Sequence, residues 1–304
     1  MMVFIMKKIF VLRSFSFSVL LVLSSFLLPA YAAEDYPKRI VSVGGQVTEL
    51  IYAMGGESML VGVDTSSIYP PEAGALPKVG YQRQLSVEGV LSLRPDMVIG
   101  TSAMGPPAAV DRLSRMGVDL VRVPDVNDVP SAVERIHYLG KLLGLETQAE
   151  RVATDYQVQM QSILRPDDPQ VRQSRLAMFL SHGAGSAMLA GGDTLGGDII
   201  NMLGAQNVFA DIRGTRAVSA EALLAADPDV VILSQQAVDA SGGLEGAISA
   251  IPGLDKTRAA QKGQIVVVDL LQLLGFGPRH PEAIEAIMAM IDAQVGTSLD
   301  AALR

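Results

Sequence analysis

Ser86-Val87-Glu88-Gly89-Val90-Leu91-Ser92-Leu93-Arg94-Pro95-Asp96-Met97-Val98-Ile99 can be laid on Ser219-Ala220-Glu221-Ala222-Leu223-Leu224-Ala225-Ala226-Asp227-Pro228-Asp229-Val230-Val231-Ile232 at a constant offset of 133, with seven identities in 14 positions. Each copy reads the same way. Ser caps a short helix with Glu in its first turn, Pro-Asp turns the chain, and a buried strand follows. A helix, Pro-Asp and strand recur by chance in α/β proteins, but the shared Ser-x-Glu argues for two similar lobes.

Strands and helices alternate on either side of these copies. Arg39-Ile40-Val41-Ser42-Val43 reads as a buried strand, and a helix over Val47 to Met54 stops at Gly55-Gly56. Leu60 to Val63, Met97 to Ile99 and Leu120 to Val123 are further strands, with a helix over Ala108 to Met116. Pro130 to Leu143 forms a helix broken near Gly140 and Gly144. Glu146 to Leu164 then runs without Gly or Pro until Arg165-Pro166 ends it. Alternation resumes with Leu176 to Leu180, a helix over Asp198 to Leu203, Val230 to Leu233 and Ile265 to Val268. Pro281 to Val295 is the last helix. The pattern predicts an α/β fold. Two similar lobes with mainly parallel sheets (33–144 and 166–304) are joined by one long helix (145–165), with a ligand cleft between them.

Residues 1–32 read as a secretory signal peptide. Lys7, Lys8 and Arg13 precede the apolar run Phe17 to Leu28, and Ala30-Tyr31-Ala32 offers the small residues that a signal peptidase reads. The run is short for a membrane anchor. Removal leaves 304 − 32 = 272 residues, and the net charge moves from −8 to −8 − 3 = −11. With 49% hydrophobic residues the chain is no disordered segment, and its acidic balance argues against nucleic acid as a partner. Zero Cys removes disulfides, thiol catalysis, Cys-ligated metal and any Cys-attached lipid. The expected product is a free periplasmic monomer, with no membrane insertion after the signal is removed. Secretion from a single-membrane cell is the alternative.

Tyr81 and Arg83 follow Leu76-Pro77-Lys78-Val79-Gly80. In an extended loop they point the same way, and a phenolate beside a guanidinium suits ferric iron. Packing of Tyr81 at a cleft lip beside a solvated Arg83 is the simpler reading of that spacing. His182, in Ser181-His182-Gly183-Ala184-Gly185-Ser186 after a strand, is placed to face Tyr81 across the cleft or to bond backbone. His137 lies within a helix as a structural residue, and His280 stands at the start of the last helix. Enzyme signals are poor. Gly100-Thr101-Ser102-Ala103-Met104 approaches a nucleophile elbow but has Met104 where the second Gly belongs. Gly191 to Gly197 matches no phosphate loop and reads as a turn.

Arg39-Ile40-Val41-Ser42, Tyr52-Ala53-Met54-Gly55, Gly62-Val63-Asp64-Thr65-Ser66-Ser67, the run Leu76 to Arg83, the run Leu85 to Leu93 and Gly275-Phe276-Gly277-Pro278-Arg279 carry a resemblance. Together they resemble the haem-binding periplasmic proteins of bacterial haem-uptake ABC transporters, within the helix-linked, cobalamin- and siderophore-type binding proteins. The resemblance implies that Tyr81 ligates haem iron and that Arg83 supports the phenolate. His182 resembles a second-lobe position that in some members approaches the haem or a second stacked haem. Glu88 and Glu221 match the glutamates that dock onto arginines of the membrane permease. Haem propionates need cations, and Arg213, Arg216 and Arg279 are the candidates. Arg216 occupies the register of Arg83 in the repeat. The expected function is capture of haem in the cleft and delivery to an ABC importer, with no chemistry. A ferric siderophore or cobalamin on the same fold is the near alternative. A secreted serine hydrolase using Ser102 is the remote one.

Overall fold

The computed structural model describes residues 36–180 and 188–302, with side chains to 294. The signal segment 1–32 and His182 lie outside the described residues. In the first lobe the chain runs β1 (Ile40–Val43), α1 (Gly45–Ala53), β2 (Leu60–Val63), α2 (Pro71–Gly74), β3 (Gly80–Tyr81), β4 (Gln84–Leu85), α3 (Val87–Ser92), β5 (Met97–Gly100), α4 (Pro107–Arg115) and β6 (Asp119–Arg122). α5 (Val129–Leu143) and α6 (Glu146–Ile163) follow. The second lobe holds α7 (Pro169–Gln173), β7 (Arg175–Leu180), β8 (Met188–Ala190), α8 (Leu195–Leu203), β9 (Gln206–Asn207), β10 (Thr215–Arg216), α9 (Ala220–Ala226), β11 (Val230–Ser234), α10 (Gln235–Ala240), α11 (Leu244–Ala250), α12 (Arg258–Gln261), β12 (Ile265–Val268), α13 (Leu270–Leu274) and α14 (His280–Ala302).

The first sheet has the order β2-β1-β5-β6, parallel throughout. All four residues of β1 are buried, because helices cover both faces of the sheet. In the second sheet β7, β11 and β12 are parallel, and β9 pairs parallel with the start of β7. The short strands β8 and β10 run antiparallel at its edge. Their two or three residues are too few to show a period, so the sequence pattern missed them.

The repeat holds in three dimensions, in more detail than the aligned residues suggested. Ser86 Oγ accepts from Gly89 N at 3.0 Å, and Ser219 Oγ from Ala222 N at 3.2 Å. Arg94 and Asp227, at matching positions, both take the left-handed conformation (φ +46° and +36°). Asp96 accepts from Arg39 N and Asp229 from Arg175 N, each at 3.0 Å. Arg39 donates to Leu93 O and Arg175 to Ala226 O, both at 2.7 Å. In each lobe, one Arg at the first strand's start ties the helix end to the sheet.

α6 spans 18 residues, about 27 Å. Ala149, Ala153, Tyr156 and Met160 recur at steps of four, three and four and form its buried face. One continuous core runs from Ile40 through these residues to Ile287 on α14, so α6 is packed along its length. The expected break near Gly140 is corrected: α5 continues through it. A Cβ on Gly140 would lie 2.3 Å from the Ala149 Cβ, so this glycine lets two helices touch. The helix ends at Gly144, whose φ of +69° suits a left-handed cap.

A polar group is sealed inside this core. Arg135 on α5 donates to the carbonyls of Gly275 and Phe276. His280, fully buried at the start of α14, sets Nδ1 2.8 Å from Tyr156 Oη. Burial first, and the Arg135 charge second, pull His280 down to about 3. Its unfolded value is about 6.5, so below that pH the unfolded chain takes a proton that the folded chain refuses. Stability should therefore fall as pH drops from about 6.5 toward 3, by about 2 kcal/mol at pH 5 from this residue. Urea unfolding at pH 7 and pH 5 measures it. His280→Gln should be less stable at both, but its loss between the two should be smaller by that amount. An equal loss in both proteins would refute the assignment.

Candidate ligand cleft

The carboxyl ends of β1, β2 and β5 open into three loops, where ligands sit in open α/β sheets. Asp64, buried just after β2, ties the loops after β1 and β2 together. It accepts from Gly44 N at 2.9 Å, Ser66 N at 2.9 Å, Ser66 Oγ at 2.6 Å and Ser67 Oγ at 2.8 Å. Ser67, Thr48 and Ser42 continue as a chain of hydroxyls 2.8 Å apart. Lys78 donates to Ser67 O at 3.0 Å and Ala73 O at 3.1 Å, and burial lowers its pKa. These bonds fix the loop that carries Ile68 and Tyr69.

β3 and β4 form a two-stranded ribbon on the same edge, with Tyr81 opposite Gln84 and a turn at Gln82-Arg83. Gly80 has φ +98°, and a Cβ there would meet Gln84 O at 2.6 Å. The ribbon is anchored by Thr65 N to Gly80 O (2.8 Å) and by Gly105 N to Gln82 O (2.9 Å). Tyr81 is 40% exposed. The expectation that Tyr81 and Arg83 share a face of an extended loop is corrected. Tyr81 stands in a strand and Arg83 in the tight turn, so strand alternation does not relate them. Neither side chain has a hydrogen-bond or ion-pair partner among the described residues.

Arg213 and Arg216 are exposed on and before β10, with Arg216 Nε donating to Arg213 O at 3.0 Å. Arg279 is engaged elsewhere. It grips Glu49 of α1 with two bonds, Nε at 3.0 Å and a terminal nitrogen at 2.6 Å. The Glu49 side chain is 4% exposed, and burial raises its pKa against the pull of Arg279. The Arg279 guanidinium also lies 3.8 Å from the centre of the Tyr69 ring. Those donors face a protein carboxylate, which corrects the expectation of a free cation there. Nothing in the run Val47-Thr48-Glu49-Leu50-Ile51 announced its buried acid beforehand.

Glu88 and Glu221 sit in the first turns of α3 and α9, both exposed. Glu88 lies 3.3 Å from Arg112. The Glu221 carboxyl is held below its usual range by its own backbone N–H and then by the Ser219 hydroxyl. His137 is exposed on α5, 3.7 Å from Glu150 of α6. Ser102 donates to Asp125 at 2.6 Å, a carboxylate where a hydrolase would need an imidazole. No cluster of three His, Asp or Glu able to hold a bare metal ion occurs among the described residues. No helix among them is long and apolar enough to cross a membrane.

Residues 40–270 match the model of a family described as periplasmic binding protein. The vitamin B12-binding protein of Pectobacterium atrosepticum is 28% identical over 212 residues, 68% of this chain and 75% of that protein. Among solved structures, the periplasmic heme-binding protein RhuT from Roseiflexus sp. RS-1 in apo form superposes with a TM-score of 0.77. It is 33% identical, over 84% of this chain and 98% of that one. A periplasmic heme binding protein from Pseudomonas aeruginosa gives 0.74 at 36% identity, over 84% and 92%. With its two α/β lobes, its packed linking helix and this match over most of its length, the chain belongs to the periplasmic binding protein family.

Proposed function

We propose that this chain captures haem between its lobes in the periplasm and hands it to an ABC importer without altering it chemically. The observation that carries the reading is the Tyr81 phenol, 40% exposed on a ribbon anchored to the strand ends, in a chain whose similar solved structures include heme-binding proteins. Tyr81 supplies an axial oxygen to Fe(III), and Arg83 favours the phenolate. Arg213 and Arg216 meet the propionates, which a chain of net charge −11 after signal removal would otherwise repel. His182 is the candidate second ligand to the iron. Glu88 and Glu221 dock on the permease. The protein acts as a monomer of two lobes, 33–144 and 166–304, around the linking segment 145–165, after residues 1–32 direct export.

Hemin titration of the purified chain tests this. The visible spectrum should change on binding, and Tyr81→Ala should change the bound spectrum and weaken affinity by about tenfold or more, the loss of one metal–ligand bond in a site that keeps its apolar walls. An unchanged spectrum in Tyr81→Ala would remove the iron-ligand role. The similarity to a vitamin B12-binding protein supports a second reading, cobalamin as cargo. Cobalamin needs no protein ligand here, so its binding should survive Tyr81→Ala.

A further inference from the structure

We infer that Ile68 and Tyr69 form a preset wall of the haem site, with Tyr69 locked in place by Arg279 and Glu49. The inference rests on the haem reading above. Eight large apolar side chains are well exposed among the described residues, and three of them, Ile68 (61%), Tyr69 (41%) and Tyr81 (40%), lie on two segments bonded to each other. Thr65 N donates to Gly80 O at 2.8 Å, and Lys78 Nζ to Ser67 O at 3.0 Å, so the Ile68-Tyr69 loop and the Tyr81 ribbon form one rim. Exposed apolar groups gathered at the end of a parallel sheet mark a surface that a ligand covers.

Tyr69 is also held rigidly. The guanidinium over its ring is fixed by two bonds to a buried carboxylate from the other end of the chain. Ordering this ring on ligand binding therefore costs little. The partner chemistry that fits is a flat apolar macrocycle laid beside a phenol. Arg279 is here a positioning residue, and Ile68 and Tyr69 are contact residues.

The test is hemin titration of the full mature chain carrying Ile68→Ser together with Tyr69→Ala, beside Tyr69→Phe. The double variant should bind about tenfold to a hundredfold more weakly, as expected for two apolar contacts. Its spectrum at saturation should match the unmodified protein, because the iron ligand is untouched. Tyr69→Phe keeps the ring and should lose far less affinity than the double variant. A loss below threefold in the double variant, or an altered saturated spectrum, overturns the inference. Unmodified protein that binds no hemin overturns the haem reading and this inference together. Normal hemin binding with an unresponsive double variant overturns this one alone.

Discussion

Reversing both Glu88→Arg and Glu221→Arg in one chain is expected to reduce importer-dependent haem uptake to background while hemin binding to the purified protein stays unchanged. The two carboxylates occupy matching positions of the internal repeat, each two residues after a capping serine. The caps fix where each first turn begins, so the charges are displayed at the same point of each lobe. Neither side chain holds the fold. Glu88 is 74% exposed, and its contact with Arg112 is a surface pair of the kind worth about 0–1 kcal/mol. Placing a cation where a partner presents cations costs several kcal/mol per contact, and two such contacts suffice to prevent docking. Because the positions match, the single reversals should impair uptake to similar degrees. The measurement is haem transport into vesicles holding the importer, beside hemin titration of each variant. Normal uptake by the double variant would refute the docking role, and lost hemin binding would show that the change reached the cleft.

The parts of the molecule that repeat or alternate were legible in the sequence. The strands Leu60–Val63 and Ile265–Val268 were read to the residue, and the long helix to within one. Burial on both faces writes such strands as unbroken apolar runs, and a helix with no Gly or Pro announces its own length. Gly140 misled because its packing role, making room for Ala149, has the same local signature as a helix break. The cleft was half legible. Tyr81 stood out by residue type, but its ribbon did not, since two-residue strands have no period to detect. Ile68 and Tyr69 carry no signal of their own in the sequence, because exposure of an apolar side chain is decided by what the rest of the chain leaves uncovered. The pairing of Arg279 with Glu49 was invisible, because the partners lie 230 residues apart and meet only when the lobes pack.

That pairing carries the largest expected effect on stability. Glu49→Ala should destabilise the protein by about 2–3 kcal/mol, because it strands a partly buried guanidinium, whose side chain is 20% exposed, without its carboxylate. For a domain of this size that corresponds to a fall in Tm on the order of 10 °C. The loss comes from stranding the charge, so removing Arg279 as well should recover part of it. Glu49→Met combined with Arg279→Met should unfold at a higher urea concentration than Glu49→Ala alone, since apolar replacement of a buried pair is often close to neutral. The double variant should still differ from the native protein at the rim, because Tyr69 has lost the cation over its ring and with it the reason to hold one orientation. Stability regained with weakened hemin affinity would separate the two duties of Arg279, joining the lobes and steadying Tyr69. If Glu49→Ala unfolds at the native urea midpoint, the contact between α1 and the segment before α14 does not hold the lobes, and that account of the interface fails.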